Sequence, residues 1–232
     1  MAELVDYFKL GKKAVSDENY EEAIKLLNKA LPKSDKTQQI DIYKSLGEVY
    51  GKITQIKQAI IHYTNALKIA AELNEIEVEV KLLQQMGRVC FQAKSYEEAI
   101  KCNEKCLEKL KEVQDTSTEA EVTRSLGSLY SITKNHFKAL STLQRGLQLQ
   151  REVGNRKGEA MTLYELGVEQ VDTEDVEGGL PNLQLALEIF TDLGMEKEIK
   201  KVRREIGVIL EELKEEEWIE EKAARFKKFR NL

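Results

Sequence analysis

Six glycines stand in register along this chain, and that register constrains its fold more than any other feature. They are Gly11, Gly47, Gly87, Gly127, Gly167 and Gly207, spaced by 36 and then four times by 40 residues, and each follows Leu, Met or Ile. Twelve residues after the first five stands a small residue: Ala23, Ala59, Ala99, Ala139 and Gly179. Four further on come Leu27, Tyr63, Asn103, Leu143 and Leu183, then a second small column of Ala30, Ala66, Cys106, Gly146 and Ala186. Self-similarity at this period marks a repeat architecture. Its physical content is two antiparallel helices that pack closely only where the facing side chains are small. A glycine inside a helix costs about 1 kcal/mol against alanine, so six in register imply a compensating packing role.

Composition agrees with helices. Charged residues make up 33% of the chain, aromatics only 6%, and there are two prolines. The 41% of hydrophobic residues suffices for a continuous core and argues against disorder. A formal net charge of −5 is the wrong sign for a nucleic-acid binder. No run approaches the roughly 18 apolar residues of a membrane span, and the acidic start Met1-Ala2-Glu3-Leu4-Val5-Asp6 does not read as a signal peptide. Three cysteines do not form a disulfide framework, so a reducing, cytoplasmic compartment is expected.

The turns repeat as well. Leu73-Asn74, Val113-Gln114, Val153-Gly154 and Leu193-Gly194 lie 40 apart, and three of the four offer Gly or Asn where a helix end needs a left-handed residue. Ser16-Asp17-Glu18-Asn19 and Lys134-Asn135 are polar breaks within repeats, followed by Tyr20 and His136 in one column with Ile56, Tyr96 and Val176. Pro32 ends the second helix of the first repeat.

The segments NYEEAIKLLNKAL (19–31) and SYEEAIKCNEKCL (95–107), with these small-residue columns, resemble the tetratricopeptide-repeat family over about residues 4–210. The 40-residue pitch and EVGNRKGEAMTLYELG (152–167) are similar to its long-repeat subclass, found in kinesin light chain and the Pins/LGN-type adaptors. The resemblance implies an all-α fold: a right-handed superhelix, or α-solenoid, of antiparallel helix pairs. An array over 1–210 is expected, with five full repeats at about 4–39, 40–79, 80–119, 120–159 and 160–199 and a sixth first helix from about 200. The six residues beyond a 34-residue unit should lengthen the helices around the inter-repeat turn. Residues 211–232 should form a C-terminal capping helix or an interaction helix.

Chemistry has little to work with. Cys102 and Cys106 share a helix face, but the only histidines, His62 and His136, are distant in sequence and complete no metal set. Cys90 and Cys106 fall in core columns, leaving Cys102 as the more exposed thiol. No catalytic triad, phosphate loop or paired carboxylates can be assembled, so neither an enzyme nor a cofactor is expected.

The resemblance implies instead a concave groove lined by the first helices, with Lys44, Lys81, Gln84, Gln85, Arg88, Arg124, Ser125, Ser128 and Tyr164 facing it. Lysine and arginine on such a wall suit an acidic protein or peptide. Two family modes are absent from the residues. A chaperone-type carboxylate clamp would fall on Phe8, Lys12, Ser45, Lys81 and Gln85, of which only Lys81 fits. An asparagine ladder two residues before each glycine is replaced by Lys9, Ser45, Gln85, Ser125, Glu165 and Glu205. Trp218, Phe226 and Phe229 mark a possible second contact on the C-terminal helix. The expected function is a scaffold in a cytoplasmic assembly, with cytoskeletal, ciliary or motor links by resemblance. The alternative is a regulatory sensor whose superhelix changes pitch on binding a peptide.

Overall fold

The structure, a computed structural model, describes residues 6–230, with side chains described for 6–214. Every regular element among the described residues is helical, so the chain is all-α. It divides into two compact units, residues 1–135 and 136–232.

The first unit runs α1 (Tyr7–Ser16), α2 (Tyr20–Ala30), α3 (Lys36–Lys52), α4 (Ile56–Glu72), α5 (Ile76–Gln92), α6 (Tyr96–Val113) and α7 (Thr116–Ile132). The second runs α8 (His136–Glu152), α9 (Arg156–Asp172), α10 (Val176–Asp192) and α11 (Glu196–Arg230). In the first unit each first helix packs on its second, α1 on α2, α3 on α4 and α5 on α6; in the second unit α9 packs on α10 in the same way.

Starts and stops follow from local chemistry. Asp35, Asp115, Asn155 and Asp175 accept bonds at 2.8–3.0 Å from the backbone N–H three residues on, each cap worth about 1 kcal/mol. The stops share one device. From residue 54 to residue 194 a left-handed residue recurs every 20 positions: Thr54, Asn74, Lys94, Gln114, Lys134, Gly154, Glu174 and Gly194. At the first, Gln55 N–H reaches Tyr50 C=O at 2.8 Å and Thr54 N–H reaches Gly51 C=O at 3.1 Å, which satisfies the last carbonyls of α3. From α3 to α10, helices of 17 residues and three-residue turns therefore alternate, except that α6 has 18 residues and a two-residue turn after it. First helices accordingly begin at 36, 76, 116, 156 and 196, about four residues before the expected repeat boundaries.

The small columns are steric. A Cβ on Gly47 would stand 2.7 Å from the Tyr63 ring, and one on Gly11 2.9 Å from Leu27. At Gly167 it would meet Leu183 at 2.8 Å and the backbone oxygen of Gly179 at 2.9 Å, so α9 and α10 touch through their main chains. The second unit buries Leu143, Leu163, Leu183, Ile189 and Phe190 in one core, to which α11 adds Ile199, Val202 and Ile209.

Three features are not evident in the sequence. Pro181 lies inside α10, which continues through it. The stretch from 211 is no separate element, because α11 runs unbroken from Glu196 to Arg230. Cys102 is the most exposed of the three thiols, as expected, but only at 3% against 0% for Cys90 and Cys106, so it too is buried. The side chains of Trp218, Phe226 and Phe229 lie outside the described residues.

Candidate functional site

Eight of the nine groove residues read from the sequence fall on one unit. Lys44 is on α3; Lys81, Gln84, Gln85 and Arg88 on α5; Arg124, Ser125 and Ser128 on α7. Lys81 and Arg88 are exposed, and Lys44, Gln84 and Arg124 half-buried. Their 40-residue spacing on helices of equal length puts Lys44, Gln84 and Arg124 in one column, and Glu48, Arg88 and Ser128 in the next turn. Acids temper the charge: Lys44 pairs loosely with Asp41 at 3.9 Å, and Glu48 lies half-buried one turn on. Ser128 bonds back to the Arg124 carbonyl at 3.3 Å and is thereby partly occupied within its own helix.

Beneath this face lies a polar layer that charge counting does not reveal. Asn103 of α6 donates to the Ser125 hydroxyl at 3.1 Å, tying a second helix to the next first helix. Tyr63 and Gln85 occupy the same two columns one repeat earlier. There the Tyr63 phenol oxygen and Gln85 Oε1 are buried with no hydrogen-bond partner among the described residues. Burial pushes the Tyr63 phenol well above its ordinary pKa; Glu48 adds to the rise and Arg88 opposes it. Tyr63 is thus a neutral group held under Glu48 and Arg88.

Tyr164, the ninth residue, belongs to the second unit. With Met161 and Glu165 of α9 it lines a cavity of about 570 Å³ closed on the other side by α11. Phe190 and Val202 supply apolar wall, while Lys197, Lys200 and Arg204 stand at the mouth. Lys201 Nζ sits 4.2 Å from the Tyr164 ring centroid, within cation–π range. Burial also raises the Tyr164 phenol, and Glu205 adds to the effect. The sequence alone reads this segment as a helix start from about 200 and a cap from 211, which hides the α11 cations. Reading the column Lys44, Gln84, Arg124, Tyr164 one step further reaches Arg204 and would have found them.

Other candidate groups are structural. Cys106 donates weakly to the Val80 carbonyl at 3.7 Å, and burial pushes its thiol up to about 12. Cys102 is raised by its hydrogen bond to Cys90 and then by burial, which leaves it no nucleophile at neutral pH. His136 binds the fully buried Glu169 at 2.7 Å and so anchors α8 to α9. Among the described residues no three His, Cys, Asp or Glu side chains form a metal cluster, and no helix is long and apolar enough to cross a membrane.

Comparison with known proteins places this architecture. Residues 77–152 match a family model described as tetratricopeptide repeat. No curated protein matches the chain by sequence. Among solved structures, the apo form of RapI is 20% identical with a TM-score of 0.71, over 84% of this chain and 73% of that one. A Rap protein complexed with Competence and Sporulation Factor is 14% identical with a TM-score of 0.60, over 85% and 56%. Kinesin light chain nearly identical TPR-like repeats from Podosopora anserina are 13% identical with a TM-score of 0.64, over 82% and 96%. At such identities the likeness is one of fold.

Proposed function

We propose that this chain, whose residues 77–152 match the tetratricopeptide-repeat family model, is a protein-interaction scaffold of a cytoplasmic multiprotein assembly, holding an acidic segment of a partner against its first helices. The carrying observation is the distribution of charge. A protein of net charge −5 keeps Lys81 and Arg88 exposed on α5, with Lys44 and Arg124 in neighbouring columns, and rims the α9/α11 cavity with Lys197, Lys200 and Arg204. Carboxylates pairing with guanidinium groups at partly desolvated positions gain about 1–3 kcal/mol each. The apolar wall beside Tyr164 adds a seat for a nonpolar side chain. Kinesin-light-chain-like repeats among the structural neighbours support a motor-linked or cytoskeletal setting.

The test is a pull-down of the natural partner. Arg88→Glu with Arg124→Glu should weaken it at least about a hundredfold while leaving helicity unchanged. Lys25→Glu on α2, where Lys25 pairs with Glu22 at 3.6 Å, is the control. Equal loss from both variants would reduce the effect to general electrostatics; no loss from the arginine pair would remove the site from the first helices.

A second reading, a peptide-responsive sensor, draws support from the Rap protein complexed with Competence and Sporulation Factor. It requires a ligand-dependent change in the radius of gyration, which X-ray scattering with and without partner distinguishes from rigid binding.

A further inference from the structure

The second helices of the first unit carry a groove of their own, and its chemistry is different from that of the first-helix face. Ile60, Thr64, Leu67 and Lys68 form one face of α4; Glu98, Lys101, Cys102 and Lys105 form one face of α6. The two faces look at each other across a cavity of about 460 Å³ floored by Leu83 and Met86 of α5. Its floor and inner walls are apolar, since Ile60, Leu67 and Met86 are half-buried and Leu83 and Cys102 buried. The rim is cationic. Lys68, Lys101 and Lys105 are exposed and outside every ion pair among the described residues, against one half-buried carboxylate, Glu98.

One column shapes the groove. The column that holds Cys102 on α6 holds His62 on α4, stacked on Tyr50 with ring centroids 5.1 Å apart. On α10 it holds Asn182, which donates to Gln170 at 2.6 Å. Cys102, like Thr142 in this column on α8, is smaller than either, so the space that His62 and Asn182 take up is left open here. The cations are in part local: on α8 the columns of Lys68 and Lys101 carry Gln148 and Ser141, while the column of Lys105 keeps a cation in Arg145.

We propose that this groove docks an amphipathic helix of a partner protein, with its apolar stripe on Leu67, Leu83 and Met86 and acidic residues along both flanks. The lining residues span two turns, about 12 Å, which matches an i, i+3, i+4, i+7 set of anchors between two flanking helices. Lys101 and Lys105, one turn apart on α6, suit carboxylates one turn apart on the ligand, with Lys68 on the opposite rim. A nucleic acid would leave the apolar floor unfilled, and a bilayer requires apolar groups that protrude rather than a recess.

The experiment uses the full chain and a fluorescein-labelled 18-residue helical peptide with leucine at that spacing and glutamate on its flanks, read by fluorescence anisotropy. A twin with lysine for glutamate is the control. The expected result is saturable binding of the acidic peptide, at least tenfold weaker binding of the basic twin, and at least a tenfold loss with Lys101→Glu plus Lys105→Glu at unchanged melting midpoint. Arg88→Glu with Arg124→Glu should leave the affinity within twofold, which separates this groove from the first-helix face. Absence of saturable binding, equal binding of the twin, or loss only with the arginine variant overturns the proposal. So does a chain that light scattering finds dimeric and the lysine reversals make monomeric, since a second copy would then occupy the groove.

Discussion

At Gly167 a methyl group would press on the Gly179 backbone oxygen and on Leu183, whereas at Gly207, in the same column, it would meet nothing within 4 Å. Identical letters in one register thus carry opposite energetics. Backbone cannot yield as a flexible side chain can, so Gly167→Ala should destabilise by about 1–3 kcal/mol. Gly207→Ala removes a helix-interior glycine without a clash and should stabilise by about 0.5–1 kcal/mol. Thermal melts of the two variants beside wild type check the pair, and shifts of the same sign would refute the steric account. The sequence shows that the glycines recur; it does not show which have a second helix against them. The same limit hid the polar layer: Tyr63 and Gln85 read as a core aromatic and a groove amide, and only their burial without partners joins them. Charge was legible because Lys81 and Arg88 need only a helix face to be exposed.

Turns were half legible for a reason visible in their residues. Asn74, Gly154 and Gly194 announce left-handed backbone, since they adopt it at low cost. Thr54, Lys94, Lys134 and Glu174 do the same work in the intervening turns without looking like it. The 20-residue alternation of helix and turn was therefore hidden inside the 40-residue repeat. Thr54 is β-branched at φ 64°, the conformation its side chain tolerates least. Its exposed position carries no side-chain role in the fold, so Thr54→Gly should raise stability by about 1 kcal/mol, net of the entropy glycine adds to the unfolded chain. Chemical denaturation at constant m-value measures it; a lower midpoint would mean that the turn relies on the threonine. Pro181 is the opposite case, a strong helix breaker overruled by its surroundings. Gly179 and Leu183 seat α10 against α9 on both sides of it, and that packing outweighs the missing hydrogen bond.

Across the molecule, repetition made the array readable, and repetition also concealed its division. The border between the two units falls at Asn135 and His136, in a turn whose left-handed Lys134 has counterparts at 54, 94 and 174. No change of composition marks it. Charge at this scale makes its own prediction for the acidic partner proposed for the first helices. An approaching acidic segment is repelled by the net charge of −5 from a distance and attracted by Lys81, Arg88 and their neighbours only on contact. Salt distinguishes the two ranges, because the screening length is about 30 Å at 0.01 M and about 8 Å at 0.15 M. Raising salt over that interval removes long-range repulsion first, so the association rate should rise, and it weakens exposed contact pairs, so the dissociation rate should rise too. The equilibrium affinity is then less salt-sensitive than either rate. Surface plasmon resonance with the partner recovered by pull-down, at four salt concentrations, separates the rates. An association rate that falls with salt would mean that the cations of the first helices govern the field well beyond contact, and that the acidic remainder of the molecule does not oppose capture.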